Sequence, residues 1–157
     1  MNLFFKKIFL LPTCFFLMGL HGYSGSTLKR EFYQLTVYQY TSSEQETVLN
    51  HYFKNALLPA LHKYGYKNIG VFKSLANDTA VVKKMYVLMP IKNLNDQLTL
   101  IQKINKDKAY QAAGFDYINA VYNNAAYIRM EVIIMNAFSM APQMILPRLK
   151  ALKKDRV

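Results

Sequence analysis

Cysteine is almost missing from this chain of 157 residues: Cys14 is its sole thiol, and it lies close to the amino terminus. Once the leading segment is removed, as argued below, nothing remains to build a disulfide, a thiolate metal site or a cysteine nucleophile. Acidic residues are scarce too, nine Asp and Glu against twenty Lys and Arg, which leaves a formal net charge of +11. Two of those cations, Lys6 and Lys7, belong to the leading segment. Five more (Arg148, Lys150, Lys153, Lys154 and Arg156) gather at the far end against Asp155 alone. A basic tail can hold anionic lipid or nucleic acid. Between the ends, however, the positive charge is spread thinly, no strand carries an aromatic-plus-basic stripe, and no nucleic-acid module pattern occurs. Nucleic acid is not expected as a partner. Also missing are a Gly-rich phosphate loop, a Ser/His/Asp set and a carboxylate cluster. His51 and His62 fall eleven residues apart on one predicted helix, about 16 Å at 1.5 Å per residue. They cannot share a metal ion, and neither has an acid in its own turn, so both are read as solvated. No metal, no cofactor and no catalytic residue is assigned.

What is present begins with an export signal. Lys6 and Lys7 precede an uncharged, Phe- and Leu-rich run, 8–20, and small residues follow at Gly22, Ser24, Gly25 and Ser26. A spanning helix needs roughly 20 apolar residues, a signal core about 7–15, so residues 1–26 are read as a cleavable signal peptide. Cys14 follows Leu11-Pro12-Thr13, which is not the small-residue setting of a lipidated cysteine, and His21 leaves with the signal. The mature protein is expected to be exported, periplasmic or secreted, with no stable membrane anchor. About 130 residues remain, enough for one domain with a core and too few for two. Residues 142–157, with Pro142, Pro147 and the basic cluster, read as a linker, and they would lead to a second domain of the same kind.

Between these ends the pattern is α+β. Residues 31–40 alternate Tyr33, Leu35 and Val37 with Gln34, Thr36 and Tyr38, a strand. Thr41-Ser42-Ser43 offers a helix cap, with Glu44 and Glu46 where the helix dipole favours acids. From Val48 to Tyr64 apolar residues recur at helical spacing until Gly65, with Pro59 predicted to kink the helix. Two short strands follow, 68–75 and 84–91, joined by Ala76-Asn77-Asp78-Thr79. Helices are predicted over 93–104, through Leu94, Leu98, Ile101 and Ile104, and over 107–120. A last strand covers 127–138. This is the ferredoxin-like βαββαβ order: a four-stranded antiparallel sheet with helices on one face. In the last strand Ile128, Met130, Val132 and Ile134 should sit under the helices, leaving Tyr127, Arg129, Glu131, Ile133 and Met135 on the bare face. On the first strand Gln34, Thr36 and Tyr38 form the less apolar side and are assigned to the bare face. A bare sheet face rich in Tyr, Phe and Met is too apolar to leave in water.

The residues from Glu31 to Pro142 resemble the NIPSNAP family of dimeric α+β barrels. The resemblance rests on Phe32-Tyr33-Gln34-Leu35-Thr36-Val37-Tyr38, on Leu57-Leu58-Pro59 through His62, Tyr64 and Gly65, and on Ile69-Gly70-Val71-Phe72. Asp107-Lys108-Ala109-Tyr110-Gln111-Ala112 and Ala137-Phe138-Ser139 complete it. It implies a barrel-type domain over 27–141 that pairs with a second copy, as a homodimer or through a second tandem domain. It implies no reaction, because the family has none that is well established. Where relatives typically have Glu-Leu-Arg this chain has Gln34-Leu35-Thr36, and Tyr110 stands where Trp is frequent, so the chemistry of the missing charges is not carried over to this chain. The candidate ligand-pocket residues are Gln34, Thr36, Tyr38, Phe72, Tyr86, Arg129 and Glu131, lining a pocket for a small apolar molecule. Arg129 and Glu131, two apart on one strand, share a face and read either as a pocket pair or as a structural ion pair. Two further readings stand beside the dimerising, ligand-binding domain. One is an enzyme like the cofactor-independent monooxygenases of the same barrel type, an analogy of fold alone. The other is a purely structural interaction module.

Overall fold

The computed structural model describes residues 29–147. The segment read as a signal peptide, with Cys14 and His21, lies outside the described residues, as do residues 148–157 of the basic tail. None of the described helices is long and apolar enough to cross a membrane.

Strand β1 (Phe32–Tyr40) runs through the middle of a four-stranded antiparallel sheet, paired on one side with β3 (Lys83–Ile91) and on the other with β4 (Arg129–Asn136). The short β2 (Gly70–Lys73) adds to β3, so the order across the sheet is β2-β3-β1-β4. All helices among the described residues come from two crossovers, β1 to β2 and β3 to β4. The expected βαββαβ architecture is what the chain adopts.

After β1, helix α1 (Ser43–Tyr52) starts on a capping box. The Gln45 backbone N–H donates to Ser42 Oγ at 3.2 Å, while Gln45 Oε1 accepts from the Ser42 backbone N–H at 3.4 Å. Two orphan donors of the first turn are thereby satisfied. Pro59 does more than kink the helix. A π-turn, Phe53–Leu57, separates α1 from α2 (Leu58–Lys63), and the Leu58 N–H reaches back to the Phe53 carbonyl. A proline has no N–H and crowds the carbonyl four residues earlier; widening the preceding turn relieves both problems and leaves Pro59 in the first turn of α2. Gly65, at φ 87°, closes α2 with a Schellman pair: Tyr66 N–H to Leu61 O and Gly65 N–H to His62 O, both 3.0 Å. The left-handed conformation there is one that glycine adopts without a Cβ penalty.

The hairpin between β2 and β3 is pinned by Asn77. Its buried side chain donates to Tyr40 Oη at 2.7 Å and accepts from the Lys84 N–H at 2.7 Å. Helix α3 (Leu94–Asn105) buries Leu100 and Ile104. Leu94, Leu98 and Ile101, which periodicity assigns to its inner stripe, are exposed. The helix predicted over 107–120 divides at Gly114 into α4 (Lys108–Ala113) and α5 (Phe115–Ile118). A Cβ on Gly114 would stand 3.0–3.2 Å from Ile118, the Tyr110 carbonyl and the Ala56 methyl. That close approach lets the helix pair lie against the π-turn.

One core cluster joins Tyr38, Tyr40 and Met85 of the sheet to Leu49, Tyr52, Phe53 and Ala56. A second joins Met89 and Ile91 to Ala60, Leu61, Leu100 and Ile104. The first is rich in tyrosine. Tyr52 and Tyr117 stack at 3.7 Å with their planes 9° apart, the Tyr52 and Tyr110 hydroxyls are 2.8 Å apart, and Tyr38 meets Phe53 edge-to-face at 5.0 Å. Burial raises the pKa of the Tyr38 and Tyr40 phenols to about 12, the Glu46 carboxylate adding to the effect at Tyr40, and burial raises Tyr52 and Tyr117 further still. A folded-state pKa above the unfolded value gives stability that is complete below about pH 10 and is lost as pH rises through the folded values. Alkaline titration is therefore expected to show Tyr38, Tyr40, Tyr52 and Tyr117 ionising late, above the ordinary tyrosine range, together with loss of helical circular dichroism. Phenolate absorbance rising in a single step near pH 10, with the fold intact, would contradict the burial of these rings.

Candidate functional site

Cross-strand register decides which side chains share a face. Gln34, Thr36 and Tyr38 stand opposite Met89, Val87 and Met85, and those three side chains lie in the cores beneath the helices. The assignment of Gln34, Thr36 and Tyr38 to the bare face is thus reversed. Tyr38 is packed in the tyrosine core, Thr36 is buried, and Gln34 donates to Thr36 Oγ1 at 2.9 Å and accepts from Gln97 of α3. Alternation shows which residues go together; it does not show which set the helices cover. Two aromatic rings at 38 and 40 outweigh the polar atoms at 34 and 36, whose hydrogen bonds are met locally.

The other four candidates do lie on the open face. Phe72 pairs with Tyr86, Tyr86 with Val37, and Val37 with Glu131, which places Phe72, Tyr86 and Glu131 in one row across all four strands. Neighbouring strands are about 4.8 Å apart, so Phe72 and Glu131 sit roughly 14 Å from each other at the two edges. Arg129 Nε meets Glu131 Oε1 at 2.6 Å, and Gln39 Nε2 donates to the same oxygen at 3.2 Å. The pair is largely solvated, and such pairs contribute little to stability. The seven candidates therefore do not line one pocket: the sheet divides them three and four. The open face is apolar over most of its length, through Tyr33, Leu35, Leu88, Ile133 and Met135, and turns polar at the end carrying Lys84, Gln39 and Arg129.

Strand β4 departs from expectation in another way. Met130, Val132 and Ile134 do lie on the helix side, opposite Tyr38, Thr36 and Gln34, yet no helix covers them. They are 43–52% exposed, and Ile128 just before them is 54% exposed. Tyr127, assigned to the bare face, instead packs into the tyrosine core against Tyr38 and Tyr117. His51 and His62 are exposed as expected, and no group of three potential metal ligands occurs among the described residues.

A cavity of about 570 Å³ opens at one end of the sheet, where β3 leaves for α3 and the chain returns from α2. Its walls include Tyr64, Tyr66, Pro90 and Leu100, with Lys67, Lys92, Lys103, Asp96 and Glu31 among the charged residues around it. Tyr64 is held by its hydroxyl, which donates to the Lys103 carbonyl at 3.2 Å and to Asp107 Oδ2 at 3.3 Å. Asp107 also caps α4, accepting from the Ala109 N–H at 3.0 Å, and meets Lys63 Nζ at 2.6 Å. That lysine's hydrogen bond holds the Asp107 carboxyl below its ordinary pKa. Sequence reasoning missed this site. The four residues that α3 gives it, Asp96, Thr99, Leu100 and Lys103, follow helical one-face spacing and were visible in principle. Their meeting with Tyr66, Lys67 and Lys92 depends on the tertiary fold.

These elements define an α+β domain with a four-stranded antiparallel sheet, helices on one side of it and an open face on the other. The fold is the one seen in NIPSNAP proteins. A NIPSNAP domain protein from Burkholderia xenovorans superposes with a TM-score of 0.54 at 12% identity, covering 71% of this chain and 99% of that one. A NIPSNAP family protein of unknown function from Agrobacterium tumefaciens gives 0.55 at 14% identity over 74% and 96%. A NIPSNAP-like domain protein from B. xenovorans gives 0.53 at 15% identity over 80% and 98%. The sequence itself matches no protein-family model and no curated protein.

Proposed function

We propose that this chain is an exported, NIPSNAP-type dimerising domain whose open sheet face is closed by a second copy, either a separate chain or a tandem domain joined through 142–157. The observation that carries the reading is the open face itself. Tyr33, Leu35, Leu88, Phe72, Ile133 and Met135 share one side of the sheet, and Phe72, Ile133 and Met135 are 53%, 41% and 36% exposed. A four-stranded face roughly 20 Å by 30 Å approaches the ~800 Å² per partner of a stable interface, and a contiguous apolar patch on that scale marks an interaction surface. The polar end, with Lys84, Gln39 and Arg129, supplies a rim. In this arrangement Phe72, Tyr86 and Glu131 face the partner, and a small apolar ligand would lie between the two sheets rather than inside one.

Native mass spectrometry of the protein from its own host tests export and pairing together. The expected result is a subunit that begins between Gly22 and Ser26 and a particle containing two barrel domains. A single-domain monomer at micromolar concentration, or a mature subunit retaining Met1, would overturn the corresponding half of the reading.

A further inference from the structure

The cavity at the end of the sheet lies where the second core cluster, through Leu100, meets the end of the open face, through Pro90, and its chemistry is specific enough to argue a ligand. Lys67, Lys92 and Lys103 reach it from three separate places: the turn after α2, the end of β3 and the last turns of α3. None of the three has a carboxylate within ion-pair distance among the described residues; Lys63 and Lys73 do. Two acids, Asp96 and Glu31, also line the cavity. Glu31 is already engaged, accepting from the Met144 N–H at 2.9 Å. Nor is Lys67 needed to cap α2, because the Tyr66 and Gly65 N–H groups satisfy its last carbonyls. Gly65 and Asn68, at φ 87° and 59°, turn the chain sharply on both sides of Tyr66 and Lys67 and bring both residues to the cavity wall. A non-glycine residue in the left-handed region is uncommon.

We propose that this cavity binds a small organic anion, a carboxylate or a phosphate on a planar apolar body. The body lies against Leu100, Pro90 and the Tyr64 and Tyr66 rings, and the charged group faces the ammonium groups of Lys92 and Lys103, with Lys67 at the rim. Three observations agree on this. The volume falls within the range of small-molecule sites, about 300–1,000 Å³. The walls combine rings for offset or edge contact with donors that have no acceptor. The fixed Tyr64, tied to Asp107, gives the ligand a wall that does not need ordering on binding, which lowers the entropic cost.

Fluorescence anisotropy of 2-naphthoate and 2-naphthyl phosphate, with neutral 2-naphthamide as the isostere, tests the site on the purified protein. Saturable binding of at least one anion with a dissociation constant below about 1 mM is expected, falling as salt rises. Tighter binding of the phosphate or of the carboxylate tells which head group the lysines favour. The paired change Lys92→Ala and Lys103→Ala should weaken binding at least about tenfold with thermal stability unchanged, because both side chains are exposed. Lys92→Arg with Lys103→Arg should restore most of it. Binding of the amide as tight as that of the anions, binding indifferent to the double alanine change, or no saturation by either anion would each overturn the proposal.

Discussion

Phe53→Ala is expected to cost about 3–5 kcal/mol, the range for removing a buried aromatic ring, from a total that for domains of this size is about 5–15 kcal/mol. Phe53 is 2% exposed and begins the π-turn ahead of Pro59. Its ring lies edge-to-face on Tyr38 at 5.0 Å and 5.6 Å from Tyr52, so its loss empties the space where the widened turn meets the second half of β1. The neighbours cannot easily fill the void. Tyr52 is fixed by its stack on Tyr117 and its hydrogen bond with Tyr110, and Tyr38 is fixed by its strand. Urea unfolding followed by circular dichroism measures the loss. Phe72→Ala serves as the control: that ring is 53% exposed on the open face, and its removal should cost well under half as much in the monomer. Equal costs for the two changes would mean that the tyrosine cluster is not the centre of the fold.

The contrast between Phe53 and Phe72 shows what could be read in the sequence. Strand and helix order, the cap at Ser42, the stop at Gly65 and the hairpin at Asn77 all follow from local chemistry, and all appear in the structure close to their expected places. The disruption at Pro59 was legible as well, though its form was not: a missing N–H requires some break in the ladder, and the packing of Phe53 and Ala56 decides that the break is a π-turn. Faces were harder. Tyr33, Leu35 and Val37 on one side and Gln34, Thr36 and Tyr38 on the other are nearly balanced in polarity, so composition favoured the wrong side as the buried one. The two tyrosines at 38 and 40 decide the matter only once Phe53, Tyr117 and Tyr127 are known to meet them. Strand β4 did offer a contrast, an all-apolar side against one carrying Arg129 and Glu131, and the all-apolar side does lie on the helix side; what local pattern could not show is that no helix reaches far enough to cover it. The cavity at the sheet end needed three separate segments to converge, and no single stretch of sequence carries that information.

The exposure of β4 on both faces makes a paired substitution especially informative, because Ile133 and Ile134 are 41% and 43% exposed and point to opposite sides of the same strand. Ile133 lies on the open face opposite Leu35; Ile134 lies on the helix side opposite Gln34. A glutamate at either position remains hydrated in an isolated monomer and should change its stability little. In a dimer closed through the open face, only the glutamate at 133 is taken out of water. No cation stands opposite it on β1, and Arg129, the nearest on its own strand and face, is already paired with Glu131. An unpaired charge in such a setting costs several kcal/mol, and a two-fold interface suffers it twice. Ile133→Glu is therefore expected to raise the dimer dissociation constant by at least about a hundredfold, on the scale of 1.4 kcal/mol for each factor of ten. Ile134→Glu should leave association within a few-fold of the parent. Sedimentation velocity over a concentration series reads both variants, with thermal unfolding run alongside to confirm that each monomer is intact. If Ile134→Glu separates the subunits and Ile133→Glu does not, the partner sits on the uncovered helix side of β4, and the open face must be satisfied in some other way.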